Sequence, residues 1–143
     1  MVSRRIFAAT ILIGAMAPLS ACSSHTGIAA LERPPVTADA LPAEVMLVDN
    51  IDRDSARLLT THEQIRYFTA ASPGTTDACI IVFPSGVDSQ WVAGCGLLGS
   101  TDIIVTASIG AKAATLVRDD ADTRVLESEG WTRIHENVLI PGT

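Results

Sequence analysis

The chain is poor in the residues that most chemistry needs. Its 143 residues include three cysteines, three histidines and one lysine, and only 4% are aromatic. Each scarcity closes a class. His62-Glu63 and His135-Glu136 are never followed by the second histidine of a helical zinc motif. No glycine run leads to a lysine: Gly94, Gly96 and Gly99 follow a strand-like segment, so no phosphate-cradling loop is present. Neither Ser85-Gly86 nor Ser108 sits in a G-x-S-x-G elbow; both read as turn residues. The Asp49, Asp52, Asp54 group and the 119–122 run (DDAD) lack the loop glycine and distal glutamate of a calcium hand, so they read as turns or helix caps. Positive charge is also short, with ten Lys and Arg against sixteen Asp and Glu. An acidic surface repels phosphate, so a nucleic-acid partner is excluded.

The N-terminus holds the most specific pattern. Arg4 and Arg5 precede an apolar run from Ile6 to Ala17, and Pro18-Leu19-Ser20-Ala21-Cys22 follows. Positive charge resists translocation while the apolar run enters the bilayer. Twelve helical residues rise about 18 Å, short of a hydrocarbon core of roughly 30 Å, so the run cannot stay as a span. Pro18 breaks the helix, and small residues at 20 and 21 open the backbone to a peptidase. This stretch resembles a bacterial lipoprotein signal peptide with its lipobox. The resemblance implies that Cys22 takes a diacylglyceryl thioether, that signal peptidase II recognises Leu19, Ser20 and Ala21, and that residues 1–21 are removed. An ordinary secretory peptide, with Cys22 left as a thiol, is the alternative. Ser3-Arg4-Arg5-Ile6-Phe7 also resembles the twin-arginine export motif, without the lysine often found after it. Either export route leads to the same place, the extracytoplasmic face of the cell membrane.

Cleavage would remove Arg4 and Arg5, leaving eight basic residues against sixteen acidic and a charge of −8. The membrane is then held through acyl chains and not by a basic patch. Residues 22–43, with three prolines and no sustained periodicity, read as the lipidated cysteine and a flexible tether; His25 is a solvated residue within it. Residues 44–143 read as one globular domain. Within it, 57–62 and 65–70 form a hairpin across Glu63-Gln64, and 78–84 is a continuous apolar strand. Strands follow at 90–96, 103–108 and, past a turn at Gly110, 113–118. A short helix spans 123–129 with Gly130 beyond its end, and 131–140 forms a last strand. The expectation is an α+β domain: a mostly antiparallel sheet of about six strands with one or two short helices.

With Cys22 assigned to lipid, Cys79 and Cys95 remain. A hairpin centred on Val87 puts them eight residues either side of the centre, directly opposed, and an exported chain meets an oxidising compartment. A structural disulfide is expected, contributing about 3 kcal/mol by closing its loop. A redox pair would need C-x-x-C spacing, and zinc would need two more ligands. His62 and His135 read as edge residues; were their strands adjacent they would make, with one carboxylate, a weak metal site. Trp91 and Trp131 read as core or cross-strand anchors, or as an exposed contact to a partner or glycan.

The segments RLL, RYF, CIIV, WVAGCG, GW and NVL, from Arg57 to Leu139, are similar to small lipoproteins of high-GC Gram-positive bacteria that have no assigned function. The resemblance implies no activity. The expected function is that of a membrane-anchored, non-enzymatic binding module with an envelope protein as partner, no catalytic residues, and neither cofactor nor metal. A small exported hydrolase and a small-ligand or metal binder are the alternatives.

Overall fold

Turn chemistry and strand-forming runs combine into two four-stranded antiparallel sheets. A computed structural model describes residues 26–86, 90–99 and 101–143; Leu19, Ser20, Ala21, Cys22 and His25 lie outside the described residues. The first sheet has β1 (Asp52–His62), β2 (Ile65–Ala71), β3 (Asp77–Pro84) and β4 (Val92–Leu97) in sequence order. The second holds β5 (Ile103–Ile109), β6 (Lys112–Val117), β8 (Val138–Pro141) and β7 (Trp131–His135), in that spatial order. Two short helices, α1 (Ala29–Glu32) and α2 (Arg124–Ser128), and a 3-10 turn at Thr37–Asp39 complete the fold.

The β1–β2 turn forms at Glu63-Gln64, both with positive φ, as a two-residue hairpin loop requires when it follows strand twist. Gly110, also with positive φ, turns β5 into β6, and Gly130 in the same left-handed region ends α2. The single expected sheet is corrected to two, with eight strands instead of about six. One added strand comes from the 131–140 segment, which folds back at Glu136-Asn137 into β7 and β8. Asn137 is the reason. Its buried side chain donates to Val117 O (3.1 Å) and Asp119 Oδ1 (2.8 Å), locking the turn onto the end of β6.

The sheets pack face to face. Tyr67, Ala78, Ile80 and Val82 from the first meet Ala107, Ala114, Leu116 and Val138 from the second. They close most tightly where β4 lies on β5. A Cβ at Gly94 would stand 3.0 Å from Ala107 Cβ, and one at Gly96 would collide with Ile104 O, so only glycine permits this approach. The outer face of the second sheet is covered by α2, with Leu126 and Trp131 against Val117, Ala121 and Leu139.

The outer face of the first sheet is covered by a strap that includes part of the segment expected to be a tether. From Thr26 to Ala43 that expectation is corrected: Ile28 is fully buried at one end of the inter-sheet core, and Leu41 packs, together with Val45 and Ile51 of the expected domain, on Phe68, Ala70, Cys79 and Ile81. Apolar residues at 28, 41, 45 and 51 follow neither strand nor helix spacing, because each fills a separate hole in an irregular strap. The domain therefore begins at Thr26 or before, and not at Glu44.

Candidate functional site

The cysteine pair forms as the register requires. Cys79 opposes Cys95 across β3 and β4, bonded Sγ to Sγ, with Ile80 opposite Gly94 and Ala78 opposite Gly96. Cys79 is fully buried under the strap while Cys95 is exposed, so the bond staples the apolar layer to the sheet surface, and the pair lacks the C-x-x-C spacing of a redox site.

The other candidate residues are dispersed. His62 ends β1 beside the Glu63-Gln64 turn, whereas His135 ends β7 beside the turn that bonds Val117 and Asp119; these are opposite ends of the sandwich. His135 Nδ1 accepts from Asn137 N–H (3.1 Å), and burial pushes the imidazole pKa below its usual value, favouring the neutral ring. Among the described residues no three His, Cys, Asp or Glu side chains are grouped to hold a metal ion.

The acidic runs build backbone. Asp52 Oδ1 accepts from Asp54 N–H (2.9 Å), and the Ser55 hydroxyl donates to Asp52 O and accepts from Ala71 N–H, bridging a register shift in β1. Asp119 accepts from Asn137 and, through its other oxygen, from Ala29 N–H (2.8 Å), fastening the first described residues. Asp122 Oδ1 accepts from Arg124 N–H (3.2 Å) at the start of α2 and pairs with that guanidinium, which holds its pKa down at about 2. Ser85 donates its N–H to Gln64 O, and Ser108 is exposed within β5 and not in a turn. Trp91 and Trp131 are half-buried anchors of the two outer layers.

Sequence reasoning missed three arginines that hold the strap. Asp39 is buried and receives both arms of the Arg33 guanidinium (2.6 and 2.7 Å), together with the N–H groups of Val36 and Leu58 (2.8 Å each). The Arg33 hydrogen bonds hold its carboxyl far below the usual carboxylate range. Because Leu58 belongs to β1 at the sheet edge, Asp39 stands in for a neighbouring strand. Arg53 donates to Leu41, Pro42 and Val45 carbonyls (2.7, 2.6 and 2.6 Å), and Arg57 to those of Arg33, Asp54 and Ala56. No sequence signal marks them, since an arginine serving scattered carbonyls has no fixed spacing.

Among the described residues, hollows lie between these elements. One of about 330 Å³ lies beneath the strap, lined by Val36, Asp39, Leu41, Arg53, Asp54 and Ala56, with Asp39 and Arg53 already committed to bonds with the strap. An open groove of about 750 Å³ runs between the start of β5 and α2, with Asp102, Ile103, Asp122, Val125, Leu126 and Glu129 along it. At the opposite end a smaller hollow includes Glu63, Tyr67 and Lys112. Burial there, then the Glu63 charge, raises the Tyr67 phenol. Among the described residues no helix is long and apolar enough to cross a membrane. No protein-family model, curated protein sequence or solved structure matches this chain.

Proposed function

We propose that the chain is an extracytoplasmic lipoprotein, anchored through acyl chains on Cys22, whose domain acts by binding an envelope partner and not by catalysis. The observation that carries the reading is the order Arg4-Arg5, apolar run, Leu19-Ser20-Ala21-Cys22. Two further observations support it. Cys79 and Cys95 satisfy one another, leaving Cys22 as the odd cysteine, and a structural disulfide fits an oxidising compartment. The buried charged and amide side chains are committed to holding the chain to itself: Asp39 and Arg57 bind the strap to β1, and Asn137 binds β6. Such residues position backbone and leave little freedom for proton transfer.

Growth with labelled palmitate tests the anchor. The wild type incorporates label and Cys22→Ala does not; equal labelling of the two would refute the proposal. Thiol alkylation without reductant finds Cys79 and Cys95 blocked.

A further inference from the structure

We infer that the groove between β5 and α2 faces the bilayer and meets zwitterionic, ammonium-bearing lipid headgroups, because the connection from Cys22 is too short to let the domain turn away. This rests on the lipid anchor proposed above. Four peptide units separate Cys22 from Thr26. Even fully extended, they span at most about 14 Å. A domain of about 100 residues has a radius of gyration of about 13 Å, so it is wider than this leash is long. Thr26 cannot lengthen the leash by peeling away without cost. It is buried, its N–H donates to Glu32 Oε1 (2.8 Å), the next carbonyl accepts from Asp119 N–H (2.8 Å), and Ile28 is sealed in the core. The end of the sandwich that holds Thr26 is thereby kept at the headgroups. The β1–β2 and β5–β6 turns, at the other end, point away.

The groove belongs to the near end. Arg118, whose guanidinium lies against Gly27, donates its backbone N–H to Asp102 O (2.9 Å), and Asp122 N–H reaches Asp102 Oδ2 (3.4 Å). One short loop, 118–122, thus joins the start of the domain to the groove wall. Ile103 and Val125 are 45% and 69% exposed there, an apolar pair flanked by Asp102 and Glu129, while Asp122 is offset by Arg124. Apolar side chains at the acyl–headgroup boundary with carboxylates just outside suit a layer carrying ammonium groups. The same carboxylates disfavour an anionic leaflet.

The test uses lipidated, disulfide-intact protein in phosphatidylethanolamine–phosphatidylcholine vesicles containing a lipid spin-labelled at its headgroup. A fluorophore is attached at Val125→Cys in the groove or at Ala111→Cys in the far turn. Flotation with the vesicles is scored first; failure to float overturns the anchor itself, and with it this inference. In floating protein, quenching several-fold stronger at 125 than at 111 supports the inference, and equal quenching overturns the orientation while leaving the anchor standing. A label at 125 shielded from water yet not quenched by lipid means a second copy or another protein covers the groove, which also overturns it. A long Gly/Ser spacer between Cys22 and Thr26 is expected to erase the difference. Its persistence would refute the leash as the cause.

Discussion

At Thr69 a fully buried hydroxyl has no partner, the single such side-chain atom among the described residues. A buried donor left unmade costs more than an apolar group of the same shape. Thr69→Val is therefore expected to raise stability by about 1 kcal/mol, read as a higher urea midpoint at unchanged slope. Asp39 gives the opposite case, a buried carboxylate with four donors. Its folded pKa is depressed. Its contribution is therefore fully present above the unfolded value of about 3.9 and is lost as pH falls toward the folded one. Asp39→Asn should destabilise the fold at pH 7, by an amount moderated because Arg33 keeps solvent contact. The penalty should shrink below about pH 4, where the unfolded carboxyl protonates. Urea midpoints at pH 7 and pH 3 check this; a penalty that is constant with pH would remove the electrostatic account. Neither residue announced itself in the sequence, because burial of a threonine or an aspartate is decided by what packs over it.

Among the elements, β4 is the most constrained, since it is stapled to β3 through Cys95 and pressed on β5 through Gly94 and Gly96. The disulfide joins residues 16 apart in the chain. Replacing both Cys79 and Cys95 by Ala is expected to cost about 3 kcal/mol, by freeing that loop in the unfolded chain. Gly96→Ala is expected to cost a further amount of about 1–3 kcal/mol by prising the sheets apart. Thermal and urea melts of the two variants measure both; a neutral Gly96→Ala would mean that the sheets do not close along this seam. The β3–β4 pairing was legible because two cysteines fix a register that letters alone leave free. The β1–β2 and β5–β6 hairpins were legible from turn position and strand-forming runs. The β7–β8 turn was not, because Glu136-Asn137 needs no glycine and neither residue has positive φ. The first part of β1 was hidden for another reason: its acidic letters form an Asx turn and a bulge, which interrupt alternation.

For the whole molecule, the decisive fact is that residues 26–51 are a structural layer. Ile28 lies among side chains of both sheets. Ile28→Ala should therefore cost about 3 kcal/mol, comparable with a mid-strand core truncation. A urea midpoint unchanged from wild type would return this segment to the status of a linker. The layer also sets reach. On the proposed lipid anchor at Cys22, a flexible tether running as far as Ala43 would let the domain roam well clear of the headgroups, whereas a chain fixed from Thr26 onward would leave four peptide units. By itself the sequence determined the strand-rich composition, most of the turns and the Cys79–Cys95 register, because these depend on local periodicity, on turn geometry and on one symmetric spacing. Only the tertiary structure decided that there are two sheets, that Asp39 and three arginines fasten the strap, and that the supposed tether is core. Those outcomes depend on shape complementarity between segments far apart in the chain, and no local pattern records it.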